Sequence, residues 1–270
     1  MQLHGRVAVI TGGASGIARA TCMSLAGGGL KAVGVVDVSD EVFAACEQGN
    51  RDFKREVLFP FKGDVTSTEF RRGVYAEMVK RFGPVHICVP AAGIVRDALA
   101  VKVDETGAPV LYDEHLFRKV IEVNLVAPIY WALEAIGTIA GDRTRRGLGR
   151  WEPQERVQGA IIFIGSISAA GNRGQISYAT TKAGLEGAQS TLAKEAIYHG
   201  IRCAIIHPGF TDTPMVQAMD QNYIREKILP QTQLRRLLQP EEVAEAIVFM
   251  IRNSATSGAL WVDAGWHPPA

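Results

Sequence analysis

The sequence has few of the features that mark secreted, metal-binding and nucleic-acid-binding proteins. Its four cysteines lie far apart and form no CxxC pair, so we expect free buried thiols rather than a disulfide framework. No two of its six histidines have the spacing of metal ligands, which predicts that there is no catalytic metal. A net charge of +1 gives no basic excess for binding nucleic acid.

Long apolar runs are also missing, because no run approaches the roughly 18 residues that a membrane span needs. The first residues, MQLHGRVAVITGG, lead into a strand-like run and lack the pattern of a signal peptide. We therefore expect a cytoplasmic protein with no membrane partner. A chain of 270 residues is at the upper end of the single-domain range, so residues 1–270 are predicted to form one domain.

The sequence does contain a regular alternation of strand and helix patterns. Short runs rich in valine and isoleucine predict strands, and segments with helical periodicity separate them. The predicted strands are 6–10, 32–38, 57–61, 85–89, 161–164, 201–207 and 259–262, and the predicted helices are 17–26, 41–50, 68–82, 113–139, 178–199 and 240–251. Repeated units of this length favour an α/β fold with a doubly wound parallel sheet and helices on both faces.

Ligands of such folds bind beyond the carboxyl ends of the strands, and the first strand ends there in a glycine-rich turn, TGGASGIA, over residues 11–18. Gly12 and Gly16 let the backbone approach a phosphate at a helix N-terminus; an ordinary tight turn is the alternative. The second strand ends in Asp37, which has no basic residue directly after it. A carboxylate there accepts ribose hydrogen bonds and repels a 2′-phosphate, which predicts NAD rather than NADP; a solvated loop acid is the alternative.

A second group of residues, within IIFIGSISAAGNRGQISYATTKAGL, predicts acid–base chemistry. Ser166 follows a buried strand, and Tyr178 and Lys182 are four residues apart on one helical face. A nearby ammonium is expected to lower the pKa of the phenol, and the serine hydroxyl is expected to donate to a carbonyl or alkoxide oxygen. The alternative is a buried tyrosine, a snorkelling lysine and a serine that caps a helix.

Motifs along almost the whole chain resemble those of the classical short-chain dehydrogenase/reductase family. The motifs are Thr11-Gly12-xxx-Gly16-x-Ala18, Asp64 in GDV, Ala92-Gly93, Asn124 in VNL, Ser166, YATTK and HPGFTDTPM. The resemblance implies a single-domain Rossmann fold with a seven-stranded sheet. It also implies that Tyr178 is the acid/base, that Lys182 binds the nicotinamide ribose, that Ser166 polarises the substrate oxygen, and that Asn124 holds a water in a proton relay.

The same resemblance implies which residues contact the cofactor, with Asp64 at the adenine and Thr213 at the carboxamide. The full predicted set is Gly12, Ser15, Gly16, Ile17, Asp37, Asp64, Val65, Ala92, Gly93, Tyr178, Lys182, Pro208, Gly209, Thr211 and Thr213. The chain departs from the family pattern where Pro90-Ala91 replaces two asparagines and where Gly165 precedes the serine. Ser168 is the fallback for Ser166.

Two insertions are individual to this chain. Residues 94–112 have the alternation and glycine turn of a β-hairpin insertion, whose role the sequence leaves open. Residues 138–159 form an arginine-rich insertion, in which Arg143, Arg145, Arg146 and Arg150 either bind the phosphates of a coenzyme A thioester or belong to a solvated loop. Residues 209–233 are methionine-rich, and the family resemblance implies that this stretch closes over the substrate, which suggests an apolar pocket with Met215, Met219 and Tyr223 in the lid; packing of a helix is the alternative.

These features predict an oxidoreductase that transfers a hydride between NAD(H) and a hydrophobic secondary alcohol or ketone, with a 3-hydroxyacyl thioester as the leading specific case. The alternative is a catalytically silent NAD(H)-binding partner or sensor subunit. An apolar face on the Asn124 helix (Val120, Val123, Val126, Tyr130 and Ala135) and the C-terminal ALWVDAGWHPPA, with Trp261 and Trp266, predict a homotetramer or dimer.

Overall fold

A sheet of seven parallel strands forms the centre of the computed structural model, which describes residues 1–266. In chain order the elements are β1 (Val7–Thr11), α1 (Gly16–Gly27), β2 (Ala32–Asp37), α2 (Glu41–Phe53), β3 (Leu58–Lys62), α3 (Thr68–Phe82), β4 (Ile87–Pro90), β5 (Val101–Val103), β6 (Pro109–Leu111), α4 (Glu114–Ile121), α5 (Ala127–Arg145), β7 (Gly159–Ile164), α6 (Ile176–Glu195), β8 (Ile201–Pro208), α7 (Pro214–Gln217), α8 (Gln221–Tyr223), α9 (Pro240–Arg252) and β9 (Gly258–Val262). The predicted doubly wound α/β fold is confirmed.

Successive residues of each central strand enter two different hydrophobic cores. Ile10 and Ile206 pack on the side that α1, α2 and α9 cover, whereas Val9 and Phe163 pack on the side of α3, α5 and α6. Side chains alternate across a strand, so a strand covered on both faces must be apolar throughout. This explains the unbroken apolar runs at β1, β4 and β7.

The strand order is β3-β2-β1-β4-β7-β8-β9. The chain therefore builds outward from β1 in one direction and from β4 in the other, and the two strands lie side by side. The loops that leave their carboxyl ends diverge, which opens a crevice at this switch point. Gly12, Ser15, Gly16, Ile17 and Ala18 of the predicted phosphate turn line it.

The helix predicted over 113–139 extends further, because α4 and α5 join through a π-helical turn at Glu122–Val126. The combined helix, Glu114–Arg145, is long and apolar enough to cross a bilayer by length and composition alone. The expectation that no apolar run approaches the length of a membrane span was therefore wrong. Its apolar residues Val120, Trp131 and Ile139 are buried within the protein, as in the core helix of a globular domain.

The hairpin of β5 and β6 stands outside the main sheet, with Val101 paired to Leu111 in antiparallel register. Its base is attached to α6. Ala98 N–H donates to Gly174 O at 2.9 Å, and the Tyr112 hydroxyl donates to Arg96 O and shares a 3.0 Å hydrogen bond with Ser177 Oγ. The insertion therefore forms a wall beside the N-terminus of α6.

Candidate active site

A cleft of about 580 Å³ lies at the carboxyl ends of β1, β2, β3, β4, β7 and β8. Almost every residue predicted for the site lines this cleft: Gly12, Ser15, Gly16, Ile17, Asp37, Asp64, Val65, Ala92, Gly93, Ser166, Tyr178, Lys182, Pro208, Gly209, Thr211 and Thr213. Asn124 is the exception, because it is completely buried behind the wall. Residues from six separate strand ends thus meet in one place.

The first turn has the geometry of a phosphate cradle. Gly12 has φ +76°, and a Cβ there would lie 3.0 Å from backbone atoms of Ala92. Ala92 is itself fixed, since its N–H donates to Thr11 Oγ1 at 3.0 Å. Helix α1 starts at Gly16, and the side chain of its N-cap residue, Ser15, makes no capping hydrogen bond in the described structure. Open space and helix N–H groups directed at the cleft fit the pyrophosphate of a dinucleotide.

The carboxylate of Asp37 is held at the end of β2 by two backbone N–H groups. Oδ2 accepts from Ala14 N at 3.0 Å, and Oδ1 accepts from Ser39 N at 3.0 Å. Within residues 1–266, the cations that line the cleft are Arg96, Lys119 and Lys182, none of which belongs to the turn or to the end of β2. The place expected for the adenosine ribose therefore carries a fixed negative charge.

Ser166 leaves the end of β7 with its side chain in the cleft. Its Oγ accepts the N–H of Ser168 at 3.0 Å, so the hydroxyl proton remains available to a second acceptor. Its hydrogen bond with the Tyr178 phenol lowers the pKa of that phenol. Ser168 also lines the cleft, but its N–H serves Ser166. This arrangement supports Ser166 over the fallback.

Burial decides the protonation of the two groups on α6. It raises the pKa of Tyr178 to about 12, and the Asp97 carboxylate raises it further, against the effect of Ser166. Burial also lowers the pKa of Lys182 to about 8. The Lys182 ammonium donates to Ile164 O at 2.7 Å and lies 5.4 Å from the centroid of the Tyr178 ring. The expected lowering of the Tyr178 pKa was therefore wrong for the protein alone, because desolvation of the phenolate dominates.

Asn124 lies in the π-helical turn and holds the start of the insertion. Its Oδ1 accepts from Ile94 N at 2.8 Å, and its Nδ2 donates to Ile94 O at 2.8 Å. These bonds fix the loop that follows β4, which in turn supplies Ile94, Val95 and Arg96 to the cleft. The role of Asn124 in a water relay stays a prediction.

The structure adds cleft residues that the sequence did not single out. Asp97 accepts a hydrogen bond from Gln175 Nε2 at 2.8 Å, and burial raises the pKa of Asp97. Both residues line the cleft, as do Arg96 and Lys119. Arg96 and Asp97 lie within the insertion, whereas Lys119 and Gln175 lie outside it. The motifs assigned no role to any of the four.

The predicted lid is only partly at the cleft. Met215 and Met219 line it together with Val216, whereas Tyr223 does not line it and is half exposed. The inclusion of Tyr223 in a lid that closes over substrate stays a prediction.

The arginine-rich segment lies at the opposite end of the sheet. Trp151 N–H donates to Tyr198 O and Gln158 N–H donates to Gly200 O, both at 2.8 Å, which places the segment beside the start of β8. Arg143 is buried and pairs bidentately with Glu155 at 2.6 and 3.0 Å, and this pairing lowers the pKa of Glu155 to about 2.

The other arginines of this segment are exposed. Arg145 and Arg146 both face Asp142, and none of the four arginines lines the cleft. The hypothesis that these four arginines bind the phosphates of a substrate in the cleft is therefore wrong. Arg143 forms a buried ion pair with Glu155 within the protein. Arg145, Arg146 and Arg150 are exposed, as expected for a solvated loop.

Known proteins share this combination of fold and motifs. A family model described as short chain dehydrogenase matches residues 6–224. The chain belongs to this family. It is 34% identical over 253 residues to the acetoacetyl-CoA reductase of Rhizobium meliloti, covering 93% of this chain and 92% of the relative. It is 30% identical over 269 residues to the 3-oxoacyl-acyl-carrier-protein reductase FabG of Thermotoga maritima, and 31% over 271 residues to that of Escherichia coli, with 98% to 99% of each chain covered.

Membership of this short-chain dehydrogenase family makes the protein an oxidoreductase that acts on hydroxyl or ketone groups with a nicotinamide cofactor. The enzyme is thereby favoured over the silent cofactor-binding subunit. A nicotinamide dinucleotide fits this site. Its pyrophosphate fits the turn at Gly12, and the carboxylate of Asp37 is placed to accept hydrogen bonds from its adenosine ribose.

Proposed function

We propose that the protein is an NAD-dependent ketone reductase and alcohol dehydrogenase, with a 3-oxoacyl thioester and its 3-hydroxy form as the leading substrate pair. The observation that carries this proposal is the meeting of Ser166, Tyr178 and Lys182 in one cleft. A phenol, a hydroxyl donor and a buried ammonium supply a proton, a hydrogen bond and a positive charge at one point.

The protonation states support reduction near neutral pH. A phenol with a pKa of about 12 keeps its proton, so Tyr178 is ready to donate to a carbonyl oxygen. The Ser166 hydroxyl, with its oxygen already accepting from Ser168, donates a second hydrogen bond to the same oxygen. A bound nicotinamide supplies the hydride in this direction and accepts it in the reverse one. Alcohol oxidation needs the phenolate and therefore becomes faster as the pH rises.

Asp37 supports NAD over NADP, because the fixed carboxylate repels the 2′-phosphate of NADP. Calorimetric titration of the wild type should show much tighter binding of NAD. Asp37→Ala should narrow the difference in affinity between NAD and NADP. Asp40→Ala serves as the control and should leave this difference unchanged, since Asp40 pairs with Lys62 on the surface nearby. Equal affinities of the wild type for the two cofactors would contradict the proposal.

The substrate class rests on the cleft and on the names of the relatives. Ile94, Val95, Met215 and Met219 give the cleft an apolar wall, and the relatives are named as reductases of acetoacetyl-CoA and of 3-oxoacyl groups on acyl carrier protein. Arg96 is a cation at the cleft and replaces the distant arginine cluster as the candidate for a thioester's phosphate. Arg96→Ala should raise KM for acetoacetyl-CoA but not for a simple ketone; equal effects on both would remove Arg96 from this role.

For assembly we propose a cytoplasmic homotetramer. Val120 and Ala135 are buried in the core of the protomer, so they were wrongly assigned to the outer face. Tyr130 and Leu133 on α5 and Trp261 on β9 are exposed apolar residues that support an interface. The last four residues of the C-terminal segment lie outside the described residues. Light scattering that gives a stable monomer would contradict this proposal.

A further inference from the structure

A completely buried histidine contacts the backbone of the serine in the cleft. His207 lies near the end of β8, and its Nδ1 is 3.0 Å from Ser166 O and 3.3 Å from Ser166 N. The paired register of β7 and β8 ends at Ile164 and Ile206, with one more bond from Gly165 N to Ile206 O at 2.7 Å. The imidazole therefore takes over where the strand ladder stops, because Nδ1 gives the Ser166 N–H a hydrogen-bond acceptor. Ser166 O also accepts from Ala169 N–H at 3.1 Å.

The surroundings of His207 are shaped to hold the ring in this place. A Cβ on Gly165 would lie 2.6 Å from His207 Nδ1, so the ring needs a glycine before Ser166. On its other side the imidazole stacks on the indole of Trp261, with centroids 4.3 Å apart and planes 16° apart. The first contact is consistent with glycine, rather than the serine of the family pattern, before Ser166, and the second holds the plane of the ring.

The second ring nitrogen connects the same histidine to the helix of Tyr178 and Lys182. Nε2 is buried, has no hydrogen-bond partner among the described residues, and lies 3.6 Å from Glu186 Oε1 on α6. A proton on Nε2 faces this carboxylate, and Nδ1 then accepts from Ser166 N–H. In the other tautomer Nδ1 donates to Ser166 O. Either tautomer bonds to the Ser166 peptide.

We propose that His207 is a positioning residue that fixes the Ser166 peptide, so that the serine hydroxyl points at the substrate oxygen. This inference rests on the proposed function of Ser166. His207 does not line the cleft and acts only through the backbone of Ser166. A displacement of about 1 Å at a reacting group can lower a rate by about 100-fold, so loss of the ring should reduce turnover by about 10- to 100-fold.

Two substitutions of similar size separate the contact from simple packing. In His207→Asn the amide has a polar atom near the place of Nδ1, whereas in His207→Gln the amide reaches toward the place of Nε2. We expect His207→Gln to lower kcat by about 10- to 100-fold with KM and NAD affinity nearly unchanged, and His207→Asn to retain most of kcat. Equal losses in both variants, or a loss confined to KM, would overturn the proposal.

The combination with Ser166→Ala distinguishes this inference from the proposed function. We expect Ser166→Ala alone to lower turnover strongly, and His207→Gln to cause little further loss in that background, because both changes act on one group. Activity retained by Ser166→Ala would contradict the proposed function itself. A large further loss would overturn the role of His207 alone.

If neither His207 variant folds, nitrogen NMR of the wild-type imidazole provides the test. A coupling across a hydrogen bond between Nδ1 and the Ser166 peptide would support the proposal, and an Nδ1 resonance without a hydrogen-bond partner would overturn it.

Discussion

Lys182 holds its ammonium group inside the protein, and this position predicts how the stability of the wild type differs from that of Lys182→Met. Burial lowers the pKa of the lysine from 10.5 to about 8. Below about pH 8 both the folded and the unfolded chain carry the proton. Between about 8 and 10.5 only the unfolded chain carries it, so a rise in pH favours the folded state.

The size of the effect follows from this interval. One pH unit corresponds to about 1.4 kcal/mol, so the interval from about 8 to 10.5 corresponds to about 3 kcal/mol. The free energy of unfolding of the wild type should therefore rise by about 3 kcal/mol relative to that of Lys182→Met between about pH 7 and pH 10.5. The hydrogen bond from Lys182 to Ile164 O adds a constant difference between the two proteins, which does not affect this slope.

Urea unfolding of both proteins, followed at a series of pH values, measures the difference directly. Other titrating groups are common to the two proteins and cancel. A difference in free energy that stays flat across this range would show that the ammonium is not desolvated as its position implies. A wild type that loses stability relative to Lys182→Met as the pH rises would mean that a partner raises the pKa of the lysine.

Other changes test the cleft itself. Tyr178→Phe should lower turnover by about 10²- to 10⁴-fold, while calorimetry should show nearly unchanged NAD affinity because the ring still fills its place; near-normal turnover would assign the proton to another group. Asp97→Asn removes a charge that raises the pKa of Tyr178, so the rise of alcohol oxidation with pH should shift to lower pH, and an unchanged profile would exclude this coupling. Arg145→Ala combined with Arg146→Ala should leave KM for acetoacetyl-CoA unchanged, since neither residue lines the cleft; a raised KM would contradict the described geometry.

The sequence was sufficient to predict the fold because the period of its apolar runs depends only on local geometry. The strands at β1 and β7 are unbroken apolar runs, and both are buried on two faces. The glycine turn and Asp37 were also predictable, since position relative to a strand end determines what they can contact. Tyr178 and Lys182 share a helical face through their spacing alone.

Other properties depend on contacts between distant segments. The pKa of Tyr178 follows from how much of the phenol the cleft walls cover, and a spacing of four residues carries no information about that burial. The position of Arg143 at the far end of the sheet follows from the direction of α5. His207 begins the HPGFTDTPM motif, but the motif did not indicate a role for its side chain, because that role comes from contacts with Gly165 and Ser166, some 40 positions earlier in the chain.

Within residues 1–266, the hydrogen bonds that attach the hairpin of β5 and β6 to the rest of the protein lie at its base. Ala98 and Tyr112 attach it to α6, while the turn from Asp104 to Ala108 closes on itself and extends into solvent. We expect that residues of this turn can be replaced by a labelled residue, a protease site or a grafted recognition loop. Such a replacement should leave α6, with Tyr178 and Lys182, in place.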